Sequence, residues 1–382
     1  MTASGPIRSG FVETEDDGTV IRTGPVEDPS KEAVFYDGAL VPGFVNAHCH
    51  VELSYMKGLF RKGTGMAGFI DQINALRDTQ SPSQKLRALR EAMDSMWAQG
   101  VDAMADISNC ADSFAVKAAH PLYTRTFLEV FGTEPEDCPA VMASVTALAG
   151  KARSFGLDAA PTPHACYTMS PELLREASAA GLRSGFLSYH SEESPEEDEM
   201  IRFGRGKMWD NRKAARMSTP PVTGGSSLSY FLDQLEMVVP LPVEGHVLLV
   251  HECCMDAAGA RAAQAALKHP FVALCPCSNL FIHNALPPVE MMRREGLTLC
   301  VGTDSLSSND ELDMVRELYC LQEHFPEVPL EELLEWACRN GARFLGKEDV
   351  LCSFAPGSKA GVVLIDHLQD GRLTAESHSR RL

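Results

Sequence analysis

Two histidines one residue apart, His48 and His50, close the run Gly43-Phe44-Val45-Asn46-Ala47-His48-Cys49-His50. In a strand, side chains two residues apart leave the same face, so both imidazoles can converge on one point where the strand stops. Neutral imidazoles meeting in this way are half of a transition-metal site. Later apolar runs also end in polar residues. His164 closes Pro161-Thr162-Pro163-His164, His190 closes Phe186-Leu187-Ser188-Tyr189-His190, and His251 closes Val247-Leu248-Leu249-Val250-His251. The seventh run ends in Cys275-Pro276-Cys277-Ser278-Asn279 and the eighth in Gly302-Thr303-Asp304. A single histidine of this kind is ordinarily a hydrogen-bonded core residue. Five histidines and an aspartate, all at run ends, are hard to explain by packing and point to a metal-dependent enzyme.

Such residues meet only if the elements that carry them end together. Eight apolar runs are spaced along the chain: Leu40–Ala47, Val101–Ile107, Leu122–Phe131, Leu157–Pro163, Ser184–Tyr189, Val247–Val250, Phe271–Leu274 and Leu297–Gly302. Segments of helical period lie between most of them, including Lys85–Gln99, Val141–Ser154, Pro171–Ala180, Ser227–Val239, Ala257–Lys268, Val289–Arg294 and Glu311–His324. Eight strands alternating with helices predict an α/β chain closed into a (β/α)₈ TIM barrel, in which functional residues gather at the C-terminal ends of the strands. No Gly-x-Gly-x-x-Gly follows the first run, which argues against an open dinucleotide-binding sheet. Short strands are expected at Gly10–Glu13, Thr19–Arg22 and Ala33–Tyr36, and a turn and strand at Pro356–Asp366. Residues 1–40 and 350–382 are thus expected to form a small β-domain beside a barrel of residues 41–349. The interval from His190 to His251 is the longest between strands and is expected to supply a loop over the site.

The bulk properties narrow the partners. With 382 residues, 45% of them hydrophobic and 23% charged, the chain can bury a large core. A net charge of −18 argues against a nucleic-acid polymer or an anionic membrane surface as partner, but not against a small neutral ligand. No apolar run reaches membrane-spanning length, and Met1–Gly10 lacks the apolar stretch of a secretory signal. The 12 cysteines include no Cys-x-x-Cys pair, so a reduced, cytoplasmic chain with buried thiols is expected.

Six ordered motifs, Pro42–His50, Pro163–Ser170, His190–Glu193, Val250–Cys254, Cys275–Asn279 and Gly302–Asp310, resemble those of the amidohydrolase superfamily. Within it they are similar to the cytosine/adenosine deaminase-like group, which includes guanine, S-adenosylhomocysteine/methylthioadenosine and aminodeoxyfutalosine deaminases and the triazine hydrolases. The resemblance runs from Val41 to Phe344 and includes the Gly357–Asp366 turn and strand. It implies His48, His50, His190 and Asp304 as ligands of one divalent metal ion, Zn²⁺ first and Fe²⁺ as the other candidate. Three imidazoles and a carboxylate suit either ion and leave a position for water. The binuclear branch of the family bridges two metals with a lysine ending strand four; that place holds Pro163-His164, hence one metal.

The same resemblance gives Glu193, three residues beyond His190, the role of proton shuttle, with Glu192 as close rival. His251 is the histidine of the sixth strand that faces the reacting oxygen, Asp304 also accepts the proton of water, and His164 is a substrate contact. Glu196, Glu197 and Glu199 read as a solvated helix start. Arg125 and Glu129 share one face of the third strand and either reach the pocket or pair with each other. Relatives place an acidic substrate ligand near Phe69–Arg77, where Asp71 is the available acid, and the assignment stays open. His283 could reach the substrate, whereas His120, His246, His269, His324, His367 and His378 read as surface or structural residues, and Cys49, Cys253 and Cys277 as apolar fillers. A small-molecule substrate and the family's usual homodimer are the partners implied.

Three readings follow. The first is an aminohydrolase replacing the exocyclic amine of a purine-like or other aminated heteroaromatic base or nucleoside with water, releasing ammonia. The second is a hydrolase of the same fold with another leaving group, such as halide from a triazine or an amine from an amide. The third is a non-catalytic metal-binding relative. Glu193 favours the first, because protonating a ring nitrogen makes the neighbouring carbon electrophilic.

Overall fold

The computed structural model of the chain describes residues 5–26 and 33–382; residues 1–4 and 27–32, part of the expected small β-domain, lie outside the described residues. Its strands, in chain order, are β1 (Gly10–Thr14), β2 (Val20–Pro25), β3 (Ala39–Pro42), β4 (Phe44–Cys49), β5 (Val101–Ser108), β6 (Tyr123–Val130), β7 (Asp158–Pro163), β8 (Phe186–Ser191), β9 (Val243–His251), β10 (Leu267–Leu274), β11 (Thr298–Val301), β12 (Val362–Ile365) and β13 (Ser379–Arg381). The eight strands β4 to β11 coincide with the eight apolar runs, and helices separate most of them. They pair in parallel, in sequence order, as two ladders, β4-β5-β6-β7 and β8-β9-β10-β11.

Side chains join the two ladders. β7 contains Pro161 and Pro163, which have no amide hydrogen to offer a neighbour. Thr162 substitutes: its Oγ1 accepts from Ser188 N at 3.0 Å and donates to Ser188 O at 2.5 Å. At the other seam, Asn46 Oδ1 accepts from Thr303 N at 3.1 Å while Asn46 Nδ2 donates to Thr303 Oγ1 at 2.7 Å. The amides of Thr303 and Asp304 both reach the His48 carbonyl at 3.0 Å. These bonds close the cylinder, the (β/α)₈ architecture expected from the alternation of runs.

The N-terminal end of the cylinder is filled with apolar side chains. Phe127 stacks on Phe344 at 5.8 Å, and Phe186 and Phe271 pack edge-on or tilted against the same ring. Val45, Ala47, Ala103, Ala105, Ile107, Leu248 and Val250 continue this inner core, so the polar strand ends lie at the opposite rim. Helix starts follow their local signals. Ser81, Ser170 and Ser194 cap the helices Pro82–Ala98, Pro171–Leu182 and Pro195–Phe203, each with proline in the first helical position.

Four expectations need correction. Ala33–Tyr36 carries no strand, and Val34 and Phe35 remain largely exposed with no sheet to cover them. The run Leu40–Ala47 is not one strand: it breaks at Gly43, where an added Cβ would meet the Asp102 carboxylate at 2.1 Å. The preceding β3 leaves the barrel and pairs with β12, which also pairs with β13. The segment Ala257–Lys268 is helical only to Ala266, because Leu267 and Lys268 already belong to β10. Finally, the expected loop between His190 and His251 is confined mainly to residues 215–226; besides the expected helix at Ser227–Glu236 the interval holds the helices Pro195–Phe203 and Lys207–Ala214, and Ser194 and Ser226 cap two of the three.

Gly302 lets β11 approach β4, since a Cβ there would lie 2.8 Å from the N, O and Cβ of His48. Gly302→Ala is therefore expected to destabilise the chain by about 1–3 kcal/mol. Thermal unfolding checks this, and an unchanged melting curve would remove the seam from the account.

Candidate metal centre and active site

Regular strands alone would not aim these side chains inward. Val45 and Ala47 face the barrel interior, so simple alternation would turn His48 and His50 outward. The β4–β5 register slips between Asn46 and Cys49, and after the slip Cys49 packs in the outer layer. The slip re-aims both histidines, as bulges beside functional sites do. His251 follows the inward-facing Val250 and enters the interior through a left-handed backbone at φ 77°; Asp304 likewise sits at φ 54°. Such conformations are costly for residues with a Cβ and persist where the surroundings enforce them.

The result is a tight group of donors. The Nε2 atoms of His48 and His50 lie 3.2 Å apart, and Asp304 Oδ1 is 3.7 Å from the first and 3.6 Å from the second. His190 and His251 join the same cluster, with ring centroids 4.8 and 5.8 Å from that of His48. Donor atoms within 4.8 Å of one another form two triads that share His48, namely His48–His50–Asp304 and His48–His190–His251.

The surroundings decide which atoms remain free. Ser278 Oγ and Ser308 Oγ donate to Asp304 Oδ2 at 2.6 and 2.9 Å, leaving Oδ1 for the histidines. His190 Nδ1 faces the His164 carbonyl at 3.2 Å and Glu129 Oε1 at 3.5 Å, leaving its Nε2 to the cluster. Burial pushes His190 well below the ordinary histidine range, and burial with the neighbouring His48 takes His50 to about 3, so both rings are neutral. Burial would raise the Asp304 carboxyl, but the His48 and His50 imidazoles outweigh it and hold it well below its usual value. Neutral nitrogens and one carboxylate oxygen converging in a closed space suit a divalent cation; protons on both His48 and His50 would set two charges 3.2 Å apart.

A buried acid stands beside this cluster. Glu193 Oε1 lies 3.4 Å from His251 Nε2, and Tyr167 OH donates to Glu193 Oε2 at 3.3 Å. Burial, reinforced by Asp304 and Glu197, pushes the Glu193 carboxyl well above its ordinary value, which favours its protonated form. Asn279 Nδ2 meets His251 Nδ1 at 3.1 Å and fixes that ring from behind. Burial takes His251 to about 3, a neutral imidazole. Glu192, the rival acid, points elsewhere: at φ 46° its carboxylate accepts from Leu228 N at 3.4 Å, at the start of the helix Ser227–Glu236.

Several expectations change. Glu197 is not solvated: fully buried, it accepts the amides of Glu192 and Glu193 at 3.1 and 2.9 Å and so holds the turn that carries both acids. Glu196 accepts from Ala67 N at 2.7 Å, serving the start of the helix Gly65–Leu76, which Thr64 leaves uncapped. Arg125 and Glu129 do not pair with each other. Arg125 binds Asp158 at 2.7 Å, whereas Glu129 reaches the rim beside His164 and His190. Asp71 stays 59% exposed and pairs with Lys207 at 3.8 Å. His164 does lie at the rim, stacked 4.7 Å from His190 with Thr168 Oγ1 at 2.8 Å from its Nδ1. Both ring nitrogens of His283 are shielded and without partners among the described residues. Tyr167, Ser278, Asn279 and Ser308 were visible only as neighbours of the strand-end residues within the same motifs.

A parallel eight-stranded cylinder with imidazoles and carboxylates gathered at one rim defines a metal-dependent hydrolase of the TIM-barrel class. The chain belongs to the amidohydrolase family, whose model matches residues 39–378. Among curated proteins it is 26% identical over 347 residues to 5-methylthioadenosine/S-adenosylhomocysteine deaminase of Desulfitobacterium hafniense, covering 86% of this chain and 73% of that one. Among solved structures, Helicobacter pylori aminofutalosine deaminase in complex with methylthio-coformycin superposes with a TM-score of 0.75 at 23% identity, covering 94% of this chain and 88% of the other. An adenosine deaminase from Xanthomonas campestris with bound zinc gives a TM-score of 0.71 at 21% identity, covering 93% and 79%.

Carboxylates behind metal-binding histidines typically contribute 10–100-fold in metal affinity. Glu129→Ala is accordingly expected to weaken metal retention by about 10–100-fold in competition with a chelator, with Glu129→Gln recovering part of the loss. Equal retention by wild type and Glu129→Ala would free Glu129 from that role.

Proposed function

We propose that this chain is a metal-dependent aminohydrolase that replaces the exocyclic amine of a purine-like nucleoside or related aminated heteroaromatic with water and releases ammonia. The observation that carries the reading is the place of Glu193: a buried carboxyl 3.4 Å from His251, on the rim that carries His48, His50, His190 and Asp304, where burial favours its protonated form. The likeness to a methylthioadenosine/S-adenosylhomocysteine deaminase supports a nucleoside as substrate.

In this reading His48, His50, His190 and Asp304 hold one divalent cation, with Zn²⁺ favoured. Such an ion supplies Lewis acidity that lowers the pKa of water to about 7. Glu193 donates its proton to the ring nitrogen next to the amine-bearing carbon, and that carbon becomes electrophilic. Tyr167 keeps the Glu193 carboxyl turned toward His251. His251, neutral and fixed by Asn279, hydrogen-bonds the oxygen that adds to the ring. Asp304, ionised, takes one proton of the water and passes it to the departing amine; as the C–N bond breaks, the remaining hydroxyl proton returns to Glu193. His164, at the rim beside His190, is the substrate contact of this reading, and the unpartnered His283 is a second candidate. Free thiols at every cysteine agree with a reducing, cytoplasmic setting, and among the described residues no helix is long and apolar enough to cross a membrane.

Ammonia release across a panel of aminopurines, aminonucleosides and pterins tests the reaction; halide or amine release from triazines or amides, without ammonia from any aminated ring, would replace it with the second reading. Glu193→Gln should lower turnover by about 10²–10⁴-fold with metal content unchanged. Glu192→Gln should keep turnover near the wild-type rate while lowering the melting temperature, and the reverse pattern would exchange the two acids. Removing metal with a chelator should abolish ammonia release, and Zn²⁺ should restore it.

A further inference from the structure

A second group of donors lies far along the chain, where the last two strands meet. Pairing of β12 with β13 matches Ile365 with Ser379, and one more hydrogen bond, from Asp366 N to the His378 carbonyl at 3.1 Å, sets Asp366 opposite His378. His367 follows in the left-handed region at φ 52°, which side chains with a Cβ seldom adopt. Its carbonyl is held there by two hydroxyls, Thr374 Oγ1 and Ser377 Oγ, each donating at 2.9 Å. This twist turns the His367 ring back over its own neighbour. His367 Nδ1 lies 3.0 Å from Asp366 Oδ1, and His378 Nδ1 lies 3.1 Å from the same oxygen. The two rings are 5.1 Å apart and inclined by 30°. His378 Nδ1 also has the Glu376 carbonyl at 3.2 Å.

Two imidazole nitrogens and one carboxylate oxygen thus fall within 4.8 Å of one another. Metal–ligand bonds of about 2.1 Å separate adjacent donors by about 3.0 Å in octahedral and about 3.4 Å in tetrahedral coordination, so the histidine nitrogens, 3.0 and 3.1 Å from Asp366 Oδ1, need open by only a few tenths of an ångström at most to share an ion. Imidazole donors select Zn²⁺, Ni²⁺ or Co²⁺ over Mg²⁺ and Ca²⁺. Both histidine side chains are 54% exposed, so an ion could enter directly from solvent and keep water in its remaining positions. The geometry points to a second divalent transition-metal site at Asp366, His367 and His378, separate from the barrel rim. An ion bound there fastens β13 to β12. β13 in turn carries Arg381, whose guanidinium lies over Trp97 at 3.5 Å and pairs with Asp102 at 2.7 Å. The competing arrangement is a protonated histidine sharing the carboxylate with its neighbour, and metal binding must displace that proton.

The test counts metal rather than turnover, so it stands or falls independently of the reaction assigned to the barrel. Protein carrying one equivalent of Zn²⁺ is equilibrated with increasing free Zn²⁺, and bound metal is measured by elemental analysis. Wild type is expected to take up one further equivalent, more weakly than the first. A His367→Asn/His378→Gln double variant should lack it, because asparagine keeps the left-handed backbone while removing the imidazole. The singly loaded forms of both proteins should release ammonia at the same rate, and the metal-free forms should melt together, which excludes a folding defect. With excess Zn²⁺, wild type alone should gain thermal stability. Equal Zn²⁺ uptake by wild type and the double variant, or no uptake beyond the first equivalent, overturns the proposal.

Discussion

The His48 carbonyl accepts the amides of both Thr303 and Asp304, and this pair of hydrogen bonds is the constraint on which the rest depends. It joins the last barrel strand to the first, so the backbone that closes the cylinder is the backbone that carries a histidine on one side and a carboxylate on the other. Gly302 makes the approach sterically feasible, and Asn46 and Thr303 exchange bonds alongside it. Closure and site geometry are consequently one structural event. Any movement that opens this seam also separates Asp304 from His48 and His50.

Burial then sets the protonation states that the chemistry requires. Taken out of water, His50, His190 and His251 are pushed toward the neutral form and Glu193 toward the protonated one, while the surrounding imidazoles hold the Asp304 carboxyl well below its usual value. A layer of less conspicuous residues fixes each of these groups: Ser278 and Ser308 behind Asp304, Asn279 behind His251, Tyr167 beside Glu193, and the Glu197 carboxylate under the turn. The cost appears in the backbone. Glu192, His251, Glu252 and Asp304 all have positive φ, a concentration of strain at one rim.

The alternation of apolar runs and helical segments was enough to read the eight barrel strands and the residues at their ends. Whole-strand burial on both faces leaves a strong hydrophobic signal, and strand ends are where it stops. Local departures from regularity were not legible. Nothing in Asn46-Ala47-His48-Cys49 announces the register slip that turns the histidines inward, and nothing near His251 announces its left-handed backbone. The break at Gly43 was hidden because both halves of the run are apolar while belonging to different sheets. Glu197 read as solvated because a glutamate-rich stretch usually is; its burial depends on two amides contributed by a turn whose shape the residue types do not reveal. Choosing between Glu192 and Glu193 likewise required the positive φ that sends the first toward a helix start.

The division of the barrel into two ladders, joined at their seams by the side chains of Thr162 and Asn46 and by backbone bonds to the His164 and His48 carbonyls, has a further consequence. Each half-cylinder supplies only two members of the proposed ligand set: His48 and His50 from one, His190 and Asp304 from the other. A cation held by all four residues would act as a rivet between the half-cylinders, and the free energy of its capture would be inseparable from that of their union.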